Sequence, residues 1–421
     1  MSEFKTQRLS ESVRFHTFTD PRFKTTKVSV DLLVPLSSST AATYGILPSL
    51  VSRATRTYPD YTALNARLAE LYGASLNNSV RKMGEYQVLS LSAAGIASRY
   101  AFGGEDMFAQ LTGLLFDIFF DPLKDQEGLF PADGFEQEQR QILEMKDSEF
   151  NDKITYVHQR SEEFLFQDQN AGVNRYGSRE DVAALNRKEV TEAWQQLLSQ
   201  AQFEIFALGD CFPDPEVFQT RFGSLGTPQK TGMLAVDAPG KVRRKTEEQP
   251  LSQSKLSMTY RVDFSPEEQT LYRLMAAALG GTPSSKLFQN VREKMGLCYY
   301  CSAGLNVNSR TLYVESGVET ENLTKAESAI AQQLEALQQG DLSEEELLSA
   351  KLALKNSLCS VGDSLSAVEN WYLGRCFSGK IESPEEAVDQ LMSYTKEQVV
   401  EAARKLHPTT VYSLKGSGSQ R

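Results

Sequence analysis

The sequence predicts an α+β protein built from two homologous domains in tandem, each a mostly antiparallel sheet with helices packed on one face. Three observations carry that prediction. A single order of elements (strand, two helices, strand pair, long helix, closing helix and strand) runs through the chain twice. The second helix of each copy ends alike, with Glu70-Leu-Tyr-Gly73 lying over Glu293-Lys-Met-Gly296. Between the copies, residues 223–250 are rich in Gly, Pro, Lys and Thr and lack any apolar period, which marks a linker. The domains are placed at 8–222 and 245–418, joined by a linker at 223–244.

In the first copy, residues 27–35 (KVSVDLLVP) alternate apolar and polar side chains as a strand does. A Ser/Thr-rich turn leads into a helix over 44–54. A second amphipathic helix, 61–71, closes on a glycine C-cap. Strands at 76–80 and 86–93 (YQVLSLSA) follow, then a helix over 106–120, and residues 182–210 read as a helix running into a strand. In the second copy the order is a strand at 255–264, helices at 267–279 and 285–294, strands at 297–305 and 311–317, and a long helix at 324–339. Residues 388–416 close it as 182–210 close the first. The run DLSEEE (341–346) reads as a helix start, with Ser343 as N-cap and Glu346 completing a capping box.

A chain of 421 residues exceeds one ordinary core. No apolar run reaches the roughly 20 residues that cross a bilayer, since 114–120 (LLFDIFF) carries an aspartate. The first twelve residues have no apolar stretch of signal-peptide type. A net charge of −11 argues against a nucleic-acid backbone as partner, and five scattered cysteines make no disulfide framework. The expectation is a cytoplasmic protein with neither nucleic acid nor membrane as partner.

Candidate chemistry is sparse. His16, His158 and His407 have no partner at zinc-ligand spacing and read as surface or capping residues. Cys298-x-x-Cys301 lacks a second pair. In a regular strand, positions three apart also face opposite ways, so the cysteines read as small buried hydrophobes. Neither a nucleophile elbow nor a glycine-rich phosphate loop is present. Arg292, on the last turn of a helix, and Tyr299, on the next strand, are separated by a glycine turn that can bring both toward one cleft. A guanidinium and a phenol suit a peptide carbonyl or an oxyanion. On the residues alone, Arg292 capping its own helix and Tyr299 packed remains the stronger reading.

The stretch SSKLFQNVREKMGLCYYCSAG (284–304) resembles the C-terminal-domain signature of insulinase/pitrilysin-type zinc peptidases, roughly S-R-L-F-x-x-V-R-E-K-x-G-L-x-Y. Residues 180–194 and 342–358 extend the likeness over nearly the whole duplicated chain. In that family the first domain carries His-x-x-Glu-His on its first helix, with a distant glutamate as a further zinc ligand. At the matching stretch, GILPSLVSR (45–53), Pro48, Val51 and Ser52 stand at the histidine, glutamate and histidine positions, and Glu144 matches the distal glutamate. The resemblance therefore implies a zinc-less member, without metal of its own and inactive alone. It further implies a clamshell half that pairs with a zinc-bearing homologue, or with itself in isolation, around an extended peptide. Arg292 and Tyr299 would then hold the substrate carbonyl and the oxyanion at the partner's zinc. Residues within 31–85 also resemble zinc-less bacterial relatives associated with aminopentanol modification of elongation factor P. That likeness implies an alternative, a peptide- or protein-binding scaffold without proteolysis. An autonomous peptidase built on Glu144 is the weakest implication.

Overall fold

The computed structural model describes residues 3–211 and 213–417. Contacts divide the chain into two compact units. The first comprises residues up to 148 and 173–231, and the second 149–172 and everything from 232 onward.

Unit 1 is built on a six-stranded sheet in the order β1-β2-β6-β3-β5-β4. Its strands are β1 (Glu3–Arg8), β2 (Val13–Thr19), β3 (Thr25–Pro35), β4 (Ser75–Met83), β5 (Tyr86–Ile96) and β6 (Gln202–Gly209). Among the described residues, only β2 and β6 run parallel in this sheet. Around it lie α1 (Ala41–Val51), α2 (Tyr61–Glu70), α3 (Met107–Phe120), α4 (Ala132–Ser148), α6 (Arg179–Ala184), α7 (Arg187–Gln200) and α8 (Pro215–Phe222), the intervening α5 (Lys153–Leu165) belonging to unit 2. The period-2 pattern of β3 sends Val28, Val30, Leu32 and Val34 into a core shared with Ile46 and Leu50 of α1, Leu111 and Leu115 of α3 and Trp194 of α7.

Unit 2 repeats the plan with five strands in the order β7-β11-β8-β10-β9. They are β7 (Arg243–Gln249), β8 (Ser254–Arg261), β9 (Cys298–Asn306), β10 (Thr311–Val318) and β11 (His407–Gly416). The one parallel pair, β7 with β11, stands where β2 with β6 stands in unit 1. In both units the closing strand sits next to the opening one, and the hairpin follows on the other side. The duplication read from the sequence is thus a duplication of topology. The helices are α9 (Gln269–Ala276), α10 (Leu323–Gln338), α11 (Glu344–Cys359), α12 (Leu365–Ser378), α13 (Pro384–Ser393) and α14 (Lys396–Arg404). Leu256, Met258 and Val314 of the sheet pack with Tyr272 and Met275 of α9, Ile330 and Leu334 of α10 and Val399 of α14.

Helices do not confine themselves to one face in unit 2. Helix α5, from the first half of the chain, lies on the other face of the sheet. Its Val157 packs with Tyr412 and Leu414 of β11, and Ser257 of β8 donates to Ser161 at 2.9 Å. Strand β7 falls inside the aperiodic stretch. Its sequence, RRKTEEQ, has no apolar alternation because an edge strand is held by backbone pairing to β11. The rest of that stretch is also pinned: Gly226 N donates to Leu198 O at 3.0 Å in unit 1, and Leu234 N to Asn308 O at 2.8 Å in unit 2.

One histidine departs from expectation. His16 is fully buried, hydrogen-bonded to Glu204 at 2.7 Å and Thr6 at 2.9 Å, and stacked against Phe4 and Phe206. Its acidic partner is 188 residues away, so no local pattern announces it. Ser343 and Glu346 form the expected capping box on α11.

Candidate functional site

The positions matching a zinc motif lie in unit 1, at the end of α1. Pro48 is buried within the helix and brings no backbone N–H to it. Val51 is fully buried in the core. Ser52 is the C-cap, and its hydroxyl donates back to Pro48 O at 2.7 Å while accepting from Asn78 Nδ2 at 3.0 Å. A proline ring, an aliphatic side chain and a hydroxyl spent on capping form no zinc-binding set. Glu144 is exposed on α4. Where α4 meets α1 the joining pair is a different one, Arg53 Nη1 to Glu138 Oε1 at 2.6 Å, with Arg53 Nη2 to Gln137 Oε1 at 2.8 Å. Among the described residues, no group of three or more His, Cys, Asp or Glu could hold a metal ion. A cavity of about 320 Å³ lies beside this junction, lined by Leu50, Arg53, Asp60, Tyr61, Asp133 and Gly134.

Arg292 and Tyr299 lie in unit 2, on a less regular piece of backbone. The helix expected over 285–294 is a π-helix, Leu287–Lys294, and a second π-helical stretch spans Ala277–Gly281. Such wide turns are rare and recur at functional sites. Gly280 lets the first stretch approach β9: a Cβ there would lie 2.5 Å from Ala303 N. The second stretch is closed by backbone, with Met295 N donating to Asn290 O at 3.0 Å and Gly296 N to Arg292 O at 3.1 Å. Gly296 sits at φ +61°, where a side chain would be strained, as Gly73 does at +75° in unit 1. The helix end thus has its own closure. The Arg292 guanidinium lies 4.6 Å over the Phe288 ring, and its Nε is 3.3 Å from Glu293 Oε1.

Tyr299 is looped out rather than packed. The β9–β10 register runs Tyr300 opposite Gly317 and then Cys298 opposite Val318, so Tyr299 is the extra residue of a β-bulge. Its side chain is 57% exposed. Its hydroxyl donates to Glu319 Oε1 at 2.5 Å, and the carboxylate raises the phenol above its ordinary pKa. Bulges re-aim side chains at sheet edges, and β9 is an edge strand of its sheet. Glu319 and the bulge were missed by the sequence reading. The available signal was the spacing of Cys298 and Cys301, two core-type residues three apart, which breaks a period of two.

Residues 184–354, which include both Arg292 and Tyr299, match the family described as peptidase M16 inactive domain. A relative named probable inactive metalloprotease YmfF, from Bacillus subtilis, is 26% identical over 410 residues, covering 96% of this chain and 95% of that protein. The solved structure of a conserved protein from Enterococcus faecalis superposes with a TM-score of 0.89 at 25% identity, over 99% of each chain. That of a peptidase M16 inactive domain from Pseudomonas fluorescens superposes with a TM-score of 0.79 at 16% identity, over the whole of each chain. Residues 184–354 thus match the peptidase M16 inactive domain in sequence, and the whole chain is similar in fold to solved structures that include one such domain, while His-x-x-Glu-His is absent from its sequence.

Proposed function

We propose that this chain is the non-catalytic, substrate-binding subunit of a heterodimeric insulinase-like metallopeptidase. It would lend Arg292 and Tyr299 to a zinc site on a homologous partner. One contrast carries the reading: the zinc positions hold Pro48, Val51 and Ser52, whereas Arg292 and Tyr299 are both retained and held at the surface by irregular backbone. In this reading the guanidinium would donate to a peptide carbonyl, and the phenol would exchange its Glu319 acceptor for the oxyanion that forms from it.

The test begins with affinity capture of this chain from its native cell and identification of any homologue bearing His-x-x-Glu-His. Purified separately, neither chain should cleave an unfolded peptide; mixed, they should. In the mixture, Arg292→Ala and Tyr299→Phe should each lower kcat, on the order of 10²-fold for a lost oxyanion donor. Unchanged rates in both variants would overturn the residue roles. Full biological function with the partner's zinc ligands removed would instead favour a scaffold, including one that serves elongation factor P modification.

A further inference from the structure

The bulge that frees Tyr299 also does something to the two cysteines beside it. The three residue steps of β9 from Cys298 to Cys301 span only two of β10, from Val318 to Ser316. The extra residue cancels the alternation, so both thiols turn to the same face. Their packing agrees, since Cys301 belongs to the buried core of unit 2 and Cys298 rests against that same core. Strand residues two apart are separated by about 6.6 Å, near the upper end of the Cα–Cα range that a disulfide bridges. Cys298 is half-buried and Cys301 is 5% exposed, an arrangement of one accessible thiol backed by an inner one.

We propose that Cys298 and Cys301 form a thiol–disulfide exchange site, with Cys298 as the attacking thiol and Cys301 as the resolving one, reacting with low-molecular-weight disulfides. In the first step the Cys298 thiolate attacks one sulfur of the small disulfide. A protein–small-molecule disulfide forms, the original S–S bond breaks, and one small thiolate leaves. In the second step Cys301 gives its proton to solvent and attacks the Cys298 sulfur, expelling the second small thiolate. The balance is two protein thiols and one small disulfide converted to one protein disulfide and two small thiols. The surroundings favour this order. A hydrogen bond from Cys301, opposed by burial and aided by Ser316 and the charge of Arg292, brings the Cys298 thiol down to about 7. The same hydrogen bond, with burial, holds the Cys301 thiol far above its ordinary value. Once Cys298 is capped, the thiolate that retained the Cys301 proton is gone. The chemistry does not depend on the role given to Tyr299.

At pH 7 a thiol of pKa 7 is about half ionised, against roughly 3% for an ordinary cysteine near 8.5. The weaker nucleophilicity of the more acidic thiol offsets part of that gain, so the order of attack rests chiefly on Cys298 being the accessible thiol of the pair. The full chain is incubated at pH 7 with bis(2-hydroxyethyl) disulfide, quenched with acid and mapped by peptide mass spectrometry. Wild type should accumulate a 298–301 disulfide, reversed by dithiothreitol. Cys301→Ser should instead retain the mixed disulfide at Cys298, and Cys298→Ser should leave Cys301 at least about tenfold slower to react, because Cys301 stays buried with no accessible thiol in front of it. A wild-type chain that carries adduct on exposed Cys359 while 298 and 301 stay reduced overturns the proposal, and that map needs no variant to fold. A mixed disulfide at Cys298 that persists equally in wild type and Cys301→Ser overturns the resolving role.

Discussion

Tyr299 and its neighbour Tyr300 show how far identity alone carries. Both are tyrosines in a row, yet one is 57% exposed at a bulge while the other lies opposite Gly317, with the Lys255 ammonium 5.0 Å from its ring. The raised pKa of Tyr299 has a specific cause, the Glu319 carboxylate, which disfavours a second negative charge. Glu319→Gln should therefore lower the Tyr299 titration midpoint toward about 10. Carbon-13 NMR of labelled tyrosine, assigned with Tyr299→Phe, checks this, and a midpoint insensitive to the substitution would show that Glu319 does not hold the phenol in solution. The sequence supplied Arg292 and Tyr299 as candidates through the VREKMGLCY run. It could not supply Glu319, because that partnership crosses twenty residues and a strand turn.

At the scale of elements, most boundaries were legible because they are written locally. Asp60 and Asp106 each cap a helix through the side chain, and Ser343 closes its box with Glu346 three residues on. Strands β3, β5, β8 and β10 show themselves by composition and period. The π-helical stretches were not legible, since their widened turns answer to packing against β9 and not to propensity. Gly280 makes that packing possible. Gly280→Ala should cost about 1–3 kcal/mol, the usual range for overpacking a filled site, because the new methyl meets backbone as well as the Leu287 side chain. Denaturant titration of the whole chain, together with hydrogen exchange at β9, measures the effect. An unchanged midpoint and unchanged β9 protection would mean that the contact relaxes freely.

The whole molecule is two versions of one topology with different chemistry kept in each. Neither unit carries a set of metal ligands among its described residues, and the loss in unit 1 goes deeper than three substitutions. Position 51 is fully buried in an apolar core and position 52 terminates its helix, while Glu144 is exposed. Placing Pro48→His, Val51→Glu and Ser52→His together should thus not restore a catalytic zinc centre. A carboxylate forced into that core costs several kcal/mol unless it is paired, and the chain should lose stability rather than gain metal. Metal analysis after zinc reconstitution is expected to find well under one zinc per chain. Stoichiometric zinc with peptide hydrolysis would show that the scaffold had kept its catalytic geometry.

By itself the sequence determined the duplication, the α+β class, most helix and strand positions, the absence of His-x-x-Glu-His, and Arg292 and Tyr299 as candidates. Those features depend on local periodicity, capping or residue type, all of which can be read within a few turns of chain. The tertiary structure alone decided that α5 crosses to the second unit, that β7 exists, that His16 is buried on Glu204, and that Cys298 and Cys301 share a face. Each of these is fixed by pairing between distant segments, where backbone hydrogen bonds and burial outweigh local preference. A single extra residue in one strand, which no composition records, turned two cysteines to one side and one tyrosine outward.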